Sequence, residues 1–364
     1  MMKNIPIPGD LAGEGSFCGT GPDGDVVVSS RVRLARNLAG HLFTHQASHA
    51  ERRGILDACR SPVLELLGPG CAGVRLFGDP VWIRMDSAAA EDKQLLLERH
   101  LISRGMARRD REFPRAVAAA ADGSRSVMVN EEDHLRLQAV FKGLALEEAF
   151  AAADALDDSL SQKLELAFSR RFGFLTACPT NVGTGLRAGV MLHLPALAAT
   201  CEIEKVKAVA RDTGLALRGL YGEGTEPMGD LYQISNQTTL GRCEREILAD
   251  FSQGIVPQVV RYEREARAAL AKHRSLWLKD HVRRAWGALT HAHLMPTKEA
   301  LSLLSQLRLG VQTGMLPDVS DARLARLMFL AQPAHLQKFL GKRLAAAERR
   351  QERAGLIRDA LAKA

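Results

Sequence analysis

Cys178-Pro179-Thr180-Asn181-Val182-Gly183-Thr184-Gly185-Leu186-Arg187 is the stretch on which the reading of the fold turns. Two glycines let the backbone turn and approach a ligand closely. Thr180, Asn181 and Thr184 carry short hydrogen-bonding side chains. Arg187 closes the stretch with a planar fork that fits two phosphate oxygens. Cys178 opens it with a thiol. A strand-like run at 174–177 precedes it and an apolar run at 190–197 follows, which predicts a loop pinned between two core elements. Taken alone, the same residues also describe a plain glycine-rich connection.

The totals frame the stretch. The chain has 364 residues, 46% hydrophobic and 25% charged, enough for two domains or one large domain with an appendage. No apolar run reaches the roughly 18 residues a membrane span needs, so none is expected. The N-terminal residues lack an apolar signal core, and the six cysteines (18, 59, 71, 178, 201 and 243) form no C-x-x-C pair. Both features fit a cytoplasmic protein without a disulfide framework. The net charge of +7 is uneven: residues 255–364 hold 20 Lys+Arg against 9 Asp+Glu, and the remainder 29 against 33. A basic C-terminal third either meets an acidic partner or is a solvated helical surface.

Residues 1–24 read as a loose lead-in. Val26-Val27-Val28 predicts a strand that continues into Ser29-Ser30-Arg31-Val32-Arg33-Leu34-Ala35-Arg36-Asn37. On extended backbone Arg31 and Arg33 share a face, where they repel unless an anion lies between them; two exposed arginines at a strand end is the alternative. Helices are expected at 48–67, 91–101 and 145–172, and a hairpin at 115–130 around Asp122-Gly123-Ser124. Its second strand runs into Asn130-Glu131-Glu132-Asp133-His134, a charged turn or a carboxylate cluster able to orient a cation or take a proton. A helix at 202–213, strands at 215–220 and 231–236, and a long helix from Glu244 follow. Between those strands, the loop 221–229 has the composition of a lid. From about 255 the strand signals stop, and helices fit 258–273, 275–290, 297–313, 320–331 and 345–362. His291 and His293 have no third ligand in view for a metal.

Five arginines (31, 33, 136, 187 and 218) exceed what a monoanion needs and match a nucleoside triphosphate. No P-loop and no protein-kinase signature is present.

The segments SSRVRLARN, NEEDHLRLQ, CPTNVGTGLRAGVMLHLPAL, RGLYGEG and YQISNQTTLG resemble the ATP:guanido phosphotransferase (phosphagen kinase) family in order, over about residues 25–245. The branch most similar is the bacterial protein arginine kinases. Only 28 residues precede the SSRVR segment, and a helical region follows. The resemblance implies an α+β fold, a mostly antiparallel sheet flanked by helices in residues 25–254, followed by an all-α dimerisation and regulatory domain in 255–364.

It also implies roles. Arg31, Arg33, Arg136, Arg187 and Arg218 would clamp the phosphates of ATP with Mg2+. Ser29, Ser30, Val32, Ala188, Gly189, Val190, Met191, Gly219 and Gly222 would lie on the nucleotide side. His100 would lie beside the adenine, where a second family histidine is replaced by Met191. Glu131 would approach Mg2+ through water. Glu132 and Glu223 would hold the substrate guanidinium, with Glu132 as the base, and Cys178 would sit next to it. A guanidinium is a delocalised, fully protonated and poor nucleophile, so two carboxylates that bind its fork and accept a proton are what the chemistry asks for. In the C-terminal third, Arg349-Arg350-Gln351-Glu352-Arg353-Ala354 resembles an allosteric phosphoarginine site, with Arg349 and Arg353 at its arginine positions and Arg350 where an aspartate belongs. The expected activity is arginine phosphorylation on proteins, marking them for quality control in a stress response. Expected partners are a second copy of the chain, a zinc-finger activator and a Clp-type protease. A kinase of a free guanidino metabolite, an inactive phosphoarginine-binding adaptor and, last, a nucleic-acid binder are the alternatives.

Overall fold

The β-branched run at 26–28 opens β1 (Val27–Arg36), and this strand lies near the middle of the sheet. A computed structural model of the chain describes residues 21–67, 80–108, 113–220 and 227–362. After β1 come α1 (His49–Leu67), β2 (Val81–Arg84), α2 (Ala90–Glu98), α3 (Arg104–Ala107), β3 (Ala116–Ala119), β4 (Arg125–Val129), β5 (Leu135–Lys142) and α4 (Leu146–Ser161). The short hairpin β6 (Phe168–Ser169) and β7 (Gly173–Phe174) leads to a 3-10 turn at Pro179–Asn181 and then to β8 (Leu186–His193). Next are α5 (Pro195–Ala199), α6 (Ile203–Asp212), β9 (Leu215–Arg218) and β10 (Leu231–Asn236). The sheet order is β2-β3-β4-β5-β1-β8-β10-β9, and every neighbouring pair is antiparallel. The expected hairpin is β3–β4, with Gly123 at φ 71° in its turn.

Side chains alternate along a strand, so each strand sends one parity to each face. Val32, Leu34, Leu137, Ala188, Val190 and Ile234 take the same face and pack in one core with Ile55 and Val63 of α1 and Ala153 and Leu156 of α4. Leucine, valine and isoleucine side chains packed this way contribute about 1.5–3 kcal/mol each. The opposite face carries the polar set described below.

The C-terminal region is helical, as expected. α7 (Glu244–Ala249) passes through one π-helical stretch into α8 (Val256–His273); α9 (Ser275–His291), α10 (Thr297–Gln312), α11 (Asp321–Leu330), α12 (Pro333–Leu340) and α13 (Ala346–Leu361) follow. A second core unites Leu278, Val282, Leu304, Leu324 and Ile357 with Met191, Leu220 and Leu231 at one end of the sheet. α8 is clamped to the sheet side. The amides of Ala196 and Leu197 donate to the Glu263 carboxylate, and Arg267 donates to Glu263 at 2.8 Å and to the His193 carbonyl at 3.3 Å.

Three expectations need correction. The helix expected at 145–172 ends at Ser161, because residues 165–167 pair with β1's continuation instead: Ala39 N donates to Glu165 O, Ala167 N to Asn37 O, and Leu38 bridges Leu166. The strand expected at 174–177 has two residues, since Phe174 pairs with Gly183 and the chain then turns. Pro333 starts the additional helix α12 at its first position, where a missing N–H costs nothing. The 1–24 lead-in lies mostly, and the 221–229 loop in part, outside the described residues.

Candidate active site

Strand register decides which side chains meet. Ser29, Arg31, Arg33 and Ala35 share one parity of β1. Across the ladders Arg136 faces Ala35, Gln138 and Arg187 face Arg33, and Gly189 faces Arg31. Farther along, Met191 faces Gln233, and Gln233 faces Arg218. Directly opposed residues lie on the same face, so all five arginines project from the sheet side away from α1 and α4. Ser30, Val32, Ala188 and Val190 have the other parity and turn their side chains into the core. Ser30 is buried there, donating to Gly143 O at 2.8 Å and accepting from Ala145 N at 2.9 Å.

The electrostatics show what the arginine face lacks. Burial, followed by repulsion from Arg136 and Arg187, pushes Arg31 down to about 10. Burial and the neighbouring guanidinium groups of Arg31, Arg136 and Arg187 likewise push Arg33 well below the usual arginine range. The buried Nε of Arg33 has no hydrogen-bond partner. Clustered cations with an orphaned donor are the environment a triphosphate satisfies. His100, with φ 55°, is buried beside this face; burial and the charges of Arg31 and Arg33 hold it down to about 3, so its ring is neutral.

At the other end stands the turn after β4. Burial pushes the Glu131 carboxyl up, but Arg136 at 2.9 Å, the Ser103 hydroxyl, the Glu132 amide and Arg33 outweigh it, leaving the group lowered and anionic. An anionic carboxylate beside a cluster of arginines fits a Mg2+ ion. Glu132 goes the other way. Burial raises its carboxyl, Arg136 lowers it, the negative charges of Glu131 and Asp133 raise it again, and the nearby Cys178 thiol lowers it slightly, leaving it raised. A raised carboxyl in contact with a half-buried thiol is a fitting proton acceptor for a cationic substrate.

Asp133 holds the two loops together. Its Oδ1 accepts from Asn37 Nδ2 and from the Ala177 amide, each at 2.7 Å. Asn37 Oδ1 in turn accepts from His134 N at 2.9 Å. The Cys178 thiol lies 3.1 Å from the Thr180 hydroxyl. Behind the loop, Arg36 is buried against Asp157 at 2.6 Å, lies over the Phe174 ring at 3.5 Å, and donates to Ala35 O at 2.8 Å and Thr184 O at 2.9 Å. Gly185, at φ 65°, leaves room for that guanidinium: a Cβ there would stand 2.6 Å from Arg36 Nη1. Sequence reasoning missed Arg36, Asn37, Ser103, Asp133 and Asp157. The parity of Arg36, opposite to that of Arg31 and Arg33, was the available signal for the first. Arg218 and Gly219 lie at the end of β9, whereas Glu223 and Gly222 lie outside the described residues.

In the C-terminal region Arg353 is buried and donates to Ala331 O at 2.5 Å and to Met295 O at 2.8 Å, while Arg349 donates to Leu344 O at 2.7 Å. Both guanidinium groups cap backbone carbonyls here. Burial first, then the charge of Arg349, holds Arg353 at about 10.

The chain belongs to the ATP:guanido phosphotransferase family: the family model for the C-terminal catalytic domain matches residues 80–266. Residues 275–364 match a second model, the protein-arginine kinase McsB C-terminal domain. The protein-arginine kinase of Halothermothrix orenii is 43% identical over 347 residues, covering 94% of this chain and 95% of that protein. That of Symbiobacterium thermophilum is 44% identical over 346 residues, with 94% and 95% covered. Among solved structures, the duplicated taurocyamine kinase of Schistosoma mansoni with bound transition state analog components has a TM-score of 0.57 and 26% identity over 68% of this chain and 34% of its own. A lombricine kinase has a TM-score of 0.54 and 24% identity over 72% of each chain, a likeness of fold.

Proposed function

We propose that the chain transfers the γ-phosphoryl group of ATP to arginine side chains of proteins. The observation that carries the reading is the convergence of five arginines on one sheet face, with Glu132 and Cys178 near each other at its end. Relatives at over 40% identity named protein-arginine kinase support it.

In this reading Arg31, Arg33, Arg136, Arg187 and Arg218 hold the triphosphate and neutralise the charge that develops as the γ-phosphoryl leaves. Glu131, kept anionic, would help hold a Mg2+ ion, which would supply positive charge to the phosphates. Glu132 and Glu223 bind the fork of the substrate guanidinium and set its angle. A bond forms between a guanidinium nitrogen and the γ-phosphorus, the bond from that phosphorus to the β-bridging oxygen breaks, ADP leaves, and Glu132 takes the nitrogen's proton. Cys178 places further electron density beside the cation, close to the base. Ser29, Gly189 and Met191 border the nucleotide on the same face. The proposal extends to a cytoplasmic enzyme in the stress response that pairs through its C-terminal helices. There Arg349 and Arg353 would receive a phosphoarginine after releasing their carbonyls. A zinc-finger activator and a Clp-type protease would be its partners in quality control.

Incubation with Mg-ATP and either casein or free arginine, followed by measurement of acid-labile phosphate and mass spectrometry of the protein, tests the activity. Phosphoarginine in casein is the expected result. Phosphate on the free amino acid alone would overturn it in favour of a metabolite kinase, and no turnover with intact ATP binding would favour the adaptor.

A further inference from the structure

Glu132 is held in place through its backbone. Its amide donates to Glu131 Oε2 at 2.9 Å, and its carbonyl accepts from the Thr44 hydroxyl. The side chain stands at an exposed position, beside buried Asn130, Asp133 and His134. A glutamate side chain is long and flexible, so the place where its Cα is fixed limits where its carboxylate can reach.

Thr44 lies outside the acidic turn, in the segment that follows β1, and is 3% exposed. Its hydroxyl reaches Glu132, while its carbonyl accepts from Arg52 Nη2. The Arg52 carbonyl accepts in turn from Asn130 Nδ2 at 2.7 Å, and Asn130 opens the acidic turn with φ 59°. The same segment is stapled to the far end of the turn. Leu38 N donates to His134 Nδ1 at 3.0 Å, and His134 Nε2 lies 2.9 Å from the Leu42 carbonyl. The first bond makes Nδ1 an acceptor, so Nε2 carries the proton and donates. Residues 130–134 and 38–52 thus close a ring of hydrogen bonds. The bond in this ring that reaches Glu132 itself comes from Thr44. The chain that leaves β1 after Arg31 and Arg33 therefore becomes the brace of the acidic turn, and one strand fixes both the arginine face and the carboxylate at its end.

We propose that Thr44 is a positioning residue for Glu132: its hydroxyl fixes the backbone of the base and, through β1, sets the base relative to the arginine face. The proposal rests on the kinase reading above for taking Glu132 as the base. It adds to that reading a residue whose hydroxyl is committed to a backbone carbonyl and acts through Glu132.

Variants of the full chain test it. Thr44→Val keeps the shape and removes the hydroxyl, Thr44→Ala removes both, and Thr44→Ser keeps the hydroxyl; circular dichroism establishes that each folds. With casein and Mg-ATP, Thr44→Val and Thr44→Ala are expected to lower kcat about tenfold while the KM for ATP stays within about twofold, because the base is misplaced and the arginine face is intact. Thr44→Ser should keep kcat within about threefold of the unaltered chain. Amide hydrogen exchange over residues 131–134 should be faster in Thr44→Val than in the unaltered chain or Thr44→Ser, a readout that needs no turnover. Full kcat in folded Thr44→Val, a Thr44→Ser variant as slow as Thr44→Val, or exchange unaltered by loss of the hydroxyl would overturn the proposal. A rise in the KM for ATP as large as the fall in kcat would do the same, leaving Thr44 a structural residue. The kinase reading fails separately, when the unaltered chain modifies no arginine; the exchange comparison then still decides whether Thr44 holds the acidic turn.

Discussion

Asp157→Asn is the perturbation whose size the structure fixes best. The Arg36 guanidinium donates from Nε to both oxygens of Asp157, at 2.9 and 3.0 Å, and from Nη2 to Oδ2 at 2.6 Å. The side chains are only 3% and 10% exposed. Asparagine keeps the volume, removes the charge and presents an amide donor to a guanidinium that has only donors. The uncompensated buried cation should cost about 3–5 kcal/mol. An exposed pair sets the scale: Arg284–Asp280 on α9 has a similar separation, 2.7 Å, but exposures of 79% and 61%, and Asp280→Asn should cost about 0.5 kcal/mol or less. Equilibrium urea unfolding followed by circular dichroism reads both. The double variant Arg36→Met with Asp157→Leu should regain most of the lost stability, since an apolar pair of like volume needs no desolvation. It should not regain activity, because the Arg36 bond to Thr184 O that steadies the Cys178–Arg187 loop is gone. An Asp157→Asn cost below about 1 kcal/mol, or full activity in the double variant, would refute the reasoning.

Glu132→Gln should abolish turnover and leave the ATP dissociation constant within about twofold. In the unaltered chain the raised Glu132 carboxyl places the acid limb of kcat/KM above the ordinary glutamate range, so activity falls as pH drops through it, and a pH–rate profile shows this directly. Arg187→Ala should raise the KM for ATP and Cys178→Ala the KM for the guanidino substrate; identical kinetic defects would contradict the division of the loop. Gly185→Ala, at φ 65° with a Cβ 2.6 Å from Ala35 O and Arg36 Nη1, should cost at least about 1–2 kcal/mol by chemical denaturation. Tripolyphosphate at 100 times its dissociation constant should stabilise the fold by about 2.7 kcal/mol, seen as a raised Tm that Arg33→Ala diminishes.

Much of the arginine face was legible because it obeys parity. Arg31 and Arg33 are two apart on a strand, and no other conformation puts them together so simply. Arg136, Arg187 and Arg218 were legible as candidates, but not their meeting, which depends on ladder register between segments far apart: Ala35 pairs with Arg136 and Arg33 with Arg187. Arg36 was hidden for a related reason: it shares a motif with the phosphate arginines but has the opposite parity, and its partner Asp157 lies 121 residues away on a helix. Asp133 was masked by its neighbours, because three adjacent acids look equivalent in a sequence. Their neighbours separate them: Arg136 and Ser103 keep Glu131 lowered, Glu132 stays raised, and Asp133 staples Asn37 to Ala177. The overlong helix at 145–172 failed where local propensity meets long-range pairing: residues 165–167 retain helical composition but satisfy their backbone groups against 37–39. Long-range hydrogen bonds of this kind leave no periodic trace.

The helical run from Glu244 to His273 has a mechanical consequence. Ile247, Phe251, Val256 and Val260 belong to the sheet's core, and Leu270 to that of the bundle, so one stiff rod is rooted in both. Its first non-helical residue is Arg274, at φ −128° and ψ 34°, immediately before α9 begins. A rod resists bending along its length and yields at its joint. Any swing of α9 relative to this rod therefore has its pivot at Arg274, the single non-helical residue between the two helices.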